Sequence, residues 1–204
     1  MTDVIDTLAG IAPGSALDKA RNNRPEARKH AQASYDALFQ PAAFGSFSKL
    51  ERFAVAAFVA GLHGREETRD YYTKKLEEAG ASPELRVVVS GEVMNGHSSG
   101  PYGHYPHGPL TIEDKEGMTY GIGASERHVL GPRLSAAFEH AHMLVLHPRD
   151  AAPPSLQELL NAGWSTTDIV TMSQVAAFLS FQIRVVAGLR VLAGTLRYAR
   201  YHDG

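Results

Sequence analysis

The stretch STTDIVTMSQVAAFLSFQIRVVAGLRVLAGTLRYARY, Ser165 to Tyr201, decides the fold. Its apolar residues recur at helical spacing. Val175, Phe178, Leu179, Val186 and Leu189 form one stripe, as expected of a helix laid against a core. Ser165 stands where an N-cap belongs and Asp168 follows three residues later, the spacing of a capping box. The reading predicts a helix from Thr166 to about Tyr198, divided at Gly188 or Gly194 if at all. A second stripe, Ser173, Ala177, Ser180, Arg184 and Ala187, is small except for the arginine. Small residues let another backbone approach closely. Arg184 is therefore expected at a helix seam, held by a carboxylate or by helix-end carbonyls, or else free to bind an anion in a pocket.

Working outward, the rest of the chain is also helical in pattern. Residues 3–10 read as a short helix stopped by Gly10 and Pro13. Arg24-Pro25-Glu26 reads as the start of another, with proline in the first turn. Ser48 and Glu51 give a capping box for KLERFAVAAFVAGLHG, whose alanine-rich middle predicts close contact with a neighbouring helix. REETRDYYTKKLEEAG is amphipathic and ends at Gly80. RLSAAFEHAHMLVLH is stopped by Pro148, and a short helix after Pro153-Pro154 is closed by Gly163. Between them, residues 81–132 read differently. ELRVVVSGEV is expected to be extended, and MNGHSSGPYGHYPHGPL to be loop. The prediction is an all-α single domain: an N-terminal arm (1–43), a core helix pair (44–80), a Gly/Pro/His-rich insertion (81–132) and C-terminal core helices (133–198).

Composition limits what the protein does. The 204 residues carry a net charge of −2, with no basic field to attract nucleic acid or an anionic membrane. There is no cysteine, so disulfides, thiolate metal sites and thiol catalysis are excluded. The first ten residues lack a signal-peptide pattern. No apolar run is expected to reach a membrane span, because Gln182 and Arg184 interrupt the longest. A soluble cytoplasmic protein is the expectation.

LLNAGWSTTDIVTMSQVAAFLSFQIRVVAGL, with Gln182-Ile183-Arg184, resembles the closing segment of the alkylhydroperoxidase D-like (AhpD-like) and carboxymuconolactone decarboxylase (CMD-domain) superfamily. There a short helix, a glycine, a Ser/Thr cap and a phenylalanine-rich helix ending in Asn-Arg recur. LERFAVAAFVAGLHG and YYTKKLEEAG resemble its core helix pair, and GPYGHYPHGPL with HPRDA resembles a cysteine-poor, peroxidase-related subgroup. The resemblance covers roughly residues 44–80 and 133–195. It implies an all-helical fold, a trimer or hexamer, and a small anionic organic ligand with its carboxylate on Arg184. Anchored on Gly80, the family's Cys, Cys and His fall at Arg65, Thr68 and Tyr72. Anchored on Glu51, they fall at His63, Glu66 and Asp70. Neither register supplies a thiol, so peroxidase chemistry by thiols is excluded. The decarboxylases of the superfamily work by proton transfer without metal or cofactor, and neither is expected here.

Candidate catalytic residues are Glu51, His63 and His142, the acid–base types that operate near neutral pH. Candidate ligand-binding residues are Arg184, Tyr72 and His104, the last in the GHYPHG loop. Each has a plain structural counterpart: Glu51 as a cap, His63 as a helix-end histidine, His142 as a packed one. Glu139 and His142 make a single Glu-x-x-His, short of the two such motifs a di-iron bundle needs. A non-catalytic oligomeric binding or scaffold protein is the competing class, and a metal protein built on the histidines is a third reading.

Overall fold

The computed structural model describes residues 3–202, with side chains described through residue 195. Among the described residues there are nine α-helices and no strand, so the all-α class is shown. The helices are α1 Val4–Ala9, α2 Ala16–Asn22, α3 Pro25–Phe39, α4 Lys49–Leu62, α5 Glu66–Glu78, α6 Pro83–Asn95, α7 Ala124–Leu146, α8 Pro153–Asn161 and α9 Thr166–His202.

Helix α4 is the axis of the core. Every residue from Arg52 to Leu62 is buried, and α5, α6, α7 and α9 all pack on it. Its alanines make this possible. A Cβ on Gly61 would overlap the γ-methyls of Val93, so α6 crosses α4 where side-chain bulk is least. Aromatic rings fill the wider gaps. Phe58 stacks on Phe138 of α7 with centroids 4.4 Å apart, and Phe39 stacks on Phe53 at 5.2 Å.

The expected caps form. Ser48 and Glu51 close a reciprocal capping box at α4. Ser165 and Asp168 do the same at α9, with Asp168 N–H to Ser165 Oγ at 3.1 Å. Gly10, Gly80 and Gly163 end their helices at positive φ. Helix α9 runs unbroken through both glycines, 37 residues or roughly 55 Å at 1.5 Å per residue. Met172, Val175, Ala176, Leu179, Ile183 and Val186 bury its core face.

Three expectations are corrected. ELRVVVSGEV is helix α6, started by Ser82 as N-cap and Pro83 in the first turn. Residues 124–130 are also helical and join α7 across a break at Gly131 (φ 71°). The irregular insertion is thus about 96–123, not 81–132. It contains one 3₁₀ segment, Pro109–Glu113, and one isolated bridge, Gly103 to Lys115. Third, by length and composition alone, Thr166–Thr195 of α9 is long and apolar enough to cross a membrane. In this fold a third of its most apolar window is buried, and the buried stripe faces α4 and α7.

Candidate functional site

Arg184 is not a buried pair. It is exposed, and its Nη1 donates to the Ser180 carbonyl of its own helix at 3.0 Å. Among the described residues no carboxylate reaches it, which corrects the expected seam. It lies instead in a broad groove of about 1030 Å³ where the C-terminal end of α4, the segment His97–Pro101, the end of α7 and the middle of α9 meet. His63, Ser180, His97, Ser98 and Ser99 are its other polar side chains, and Leu62, Leu144 and Leu146 supply apolar wall. The small stripe at Ala177 and Ser180 gives the groove its depth: short side chains leave room where a leucine would fill it.

His63 caps the C-terminal end of α4, and its Nε2 shares a hydrogen bond of 3.1 Å with Ser180 Oγ. Burial first, and then the neighbouring Arg184 charge, push its pKa down to about 4. At neutral pH the groove therefore holds an uncharged imidazole beside a guanidinium. An anion seated on Arg184 offsets the charge that acts on His63, so binding makes the imidazole a better proton acceptor.

The remaining candidates are placed elsewhere. Glu51 sits at the opposite end of α4, twelve residues from His63. Its carboxylate accepts from Ser48 N–H at 2.9 Å, Ser48 Oγ at 2.7 Å and Arg133 Nε at 2.8 Å. Its lone pairs are taken, so it is a cap and an ion-pair partner and not a base in the groove. Tyr72 is fully buried and donates to Gln182 Oε1 at 2.6 Å, which leaves it no face toward a ligand. His104 is exposed outside the groove, its Nε2 at 3.0 Å from Glu116. That hydrogen bond raises its pKa, aided by the same carboxylate's charge.

His142 lies behind the groove wall. Its ring is fully buried, stacked on Tyr120 with centroids 4.2 Å apart. Nε2 meets the Gly96 carbonyl at 3.0 Å and Nδ1 meets His147 Nε2 at 3.2 Å. A Cβ on Gly96 would stand 3.1 Å from the His142 ring and 3.2 Å from Leu62, so a larger residue would push these neighbours back by a few tenths of an ångström. Beside it, the buried Glu92 accepts from Tyr120 Oη at 2.6 Å and Asn95 Nδ2 at 2.9 Å. Glu139 is turned away, bound to Ile122 N–H and Arg127. Among the described residues no three His, Asp or Glu side chains are grouped to hold a metal ion.

Sequence reasoning missed His97, Ser180 as a groove residue, and the His147–Asp150 pair behind His142. Ser180 stood in the small stripe, three residues from Ala177 and four from Arg184. His97 and the pair carried no periodic signal. A second groove, about 810 Å³ between α1, α5 and α9, contains Arg190, but Glu67 engages that arginine at 2.6 Å. No protein-family model matches the chain, and no curated protein or solved structure matches it significantly.

Proposed function

We propose that this protein is a cysteine-free relative of the AhpD-like and CMD-domain superfamily that binds a small anionic organic molecule in the His63–Ser180–Arg184 groove. Arg184 takes the ligand's carboxylate and the apolar wall takes its body. His63 serves as the proton acceptor for cofactor-free acid–base chemistry of the lyase or isomerase kind. The observation that carries this reading is an arginine in an open groove, satisfied only by a backbone carbonyl, next to a neutral histidine. Arg28, Arg133 and Arg190 are matched with carboxylates, and the buried Arg52 is held by three backbone carbonyls. A cytoplasmic location without nucleic-acid or membrane partners belongs to the same proposal, supported by the net charge of −2.

The test is calorimetric titration of benzoate into the wild type and into Arg184→Met. A charge-assisted contact is worth about 1.5–3 kcal/mol, so the variant loses binding by roughly 10- to 100-fold while remaining folded. Equal affinity in the two proteins defeats the assignment of Arg184.

A second reading, a non-catalytic oligomeric scaffold, is favoured by a separate observation. Val87 and Met94 on α6 are 72% and 73% exposed, and Phe181 and Val191 on α9 are 48% and 72% exposed. Native mass spectrometry distinguishes the cases. A trimer or hexamer that carries no small molecule and takes no benzoate supports the scaffold.

A further inference from the structure

The hydrogen bonds behind the groove wall fix where protons sit. His142 is fully buried, and burial above all holds its pKa at about 4, so its ring is neutral and carries one N–H. Nε2 faces the Gly96 carbonyl at 3.0 Å, which only accepts, so the proton is on Nε2. Nδ1 is then bare and must accept from His147 Nε2 at 3.2 Å. The other nitrogen of His147 faces Asp150 Oδ2 at 3.0 Å. Burial pushes the Asp150 carboxyl up, but the His104 N–H and the His147 contact outweigh it, so it stays an anion and also only accepts. Both nitrogens of His147 must donate. The chain Asp150–His147–His142–Gly96 closes only when His147 is an imidazolium.

We propose that His142, His147 and Asp150 are positioning residues that form a proton-dependent latch on the groove wall Gly96–Pro101. Deprotonated His147 has one N–H for two acceptors. If it keeps the bond to Asp150, two bare nitrogens face each other at His142. If it keeps the bond to His142, a bare nitrogen faces a carboxylate. Either way one link opens at His147, and the His142 ring that donates to the Gly96 carbonyl is no longer braced through His147 to Asp150. Because His97, Ser98 and Pro101 line the groove, the latch sets the shape of the site on which the proposed function rests.

The surroundings of His147 contain few other charges. From the insertion, Tyr102 stacks on its ring at 5.0 Å. His104 lies 3.7 Å from Asp150, with Glu116 on its far side at 3.0 Å. Arg149 is turned to the Glu113 carbonyl and the Tyr105 ring. Glu92 of α6 is reached only through Tyr120 and His142.

The experiment is a pH titration of the full chain labelled with ¹⁵N, reading histidine ring nitrogens and backbone amides without any ligand. The expected result is His142 in the Nε2–H form, His147 protonated on both nitrogens at the acid side, and amides of Gly96–Gly100 moving with the His147 midpoint. Asp150→Asn alters the ring and wall transitions together, because it removes the acceptor of one His147 N–H. His147→Gln keeps a donor toward His142 and removes the titration, so its wall amides become independent of pH. Wall amides that do not follow His147, or an Nδ1–H form of His142, overturn the latch. Benzoate added to the same samples keeps the two readings apart. A wall that follows His147 in a protein that never binds benzoate upholds the latch and defeats the anion reading.

Discussion

The two ends of α4 hold the same kinds of residue and use them oppositely. At the N-terminal end Glu51, Arg52, Arg133 and Asp168 are all matched. Arg52, only 6% exposed, donates to the carbonyls of Phe47 at 3.0 Å, Leu38 at 2.7 Å and Phe44 at 3.0 Å. Arg133 joins Glu51 to the carbonyls of Gly163 and Ser46, and its guanidinium lies over Trp164, 3.9 Å from the ring centroid. At Asp168, burial raises the carboxyl pKa, but bonds from Ser46 and Ser165 and the Arg133 charge bring it below the usual carboxylate range. At the C-terminal end, His63 and Arg184 face open space with one hydrogen bond each. Polar groups that complete one another fasten the α3–α4 loop, α7, α8 and α9 together. Groups left incomplete in a groove are available to a ligand.

Substitutions can break this contrast. The largest effect is expected at Arg52→Met, which leaves three carbonyls of the α3–α4 connection without their donor. Stability falls by about 3 kcal/mol or more in urea unfolding; a loss under about 1 kcal/mol would mean that the closed end is not held by polar contacts. Glu51→Ala removes half a capping box and the partner of Arg133, and costs roughly 2 kcal/mol. A base in the groove would instead change ligand chemistry without this loss, so the same measurement separates cap from catalyst.

The pH response sharpens the comparison at the open end. His63 and His142 titrate near 4 when folded and near 6.5 as free side chains. The unfolded chain therefore takes up protons first as pH falls. Their neutral forms stabilise the fold above pH 6.5, and that contribution is lost between pH 6.5 and about 4. Melting temperature measured across this window should fall, with a shallower slope in His63→Gln. The smallest stability effect belongs to Arg184→Met, within about 0.5 kcal/mol because the side chain is exposed. A large loss there restores the structural role that the groove geometry denies it.

Much of the fold was legible because its signals are local. Ser48 with Glu51, Ser165 with Asp168, Gly80 and Gly163 mark helix ends through bonds made within a few residues. Helix α6 was misread because Val87-Val88-Val89 has strand-like propensity. The tertiary fold outweighs it by burying Leu85, Val89 and Glu92 on one helical face. Ser82 and Pro83 start that helix, a signal the sequence reading does not use. Of the candidate site, His63 and Arg184 are brought together, and Glu51, Tyr72, His104 and His142 are not.

The sequence by itself determined the helical class, most helix boundaries and the absence of thiol chemistry, since these follow from periodicity, capping and residue type. Only the tertiary structure decided which arginine is buried. Arg52 stands in the charged first turn of α4 and is enclosed, while Arg184 in its apolar run is open. The physical reason is that a side chain's charge and shape are local properties. Whether its hydrogen bonds are completed depends on carbonyls and carboxylates brought from far along the chain, as Leu38 is brought to Arg52 and Ser180 to His63.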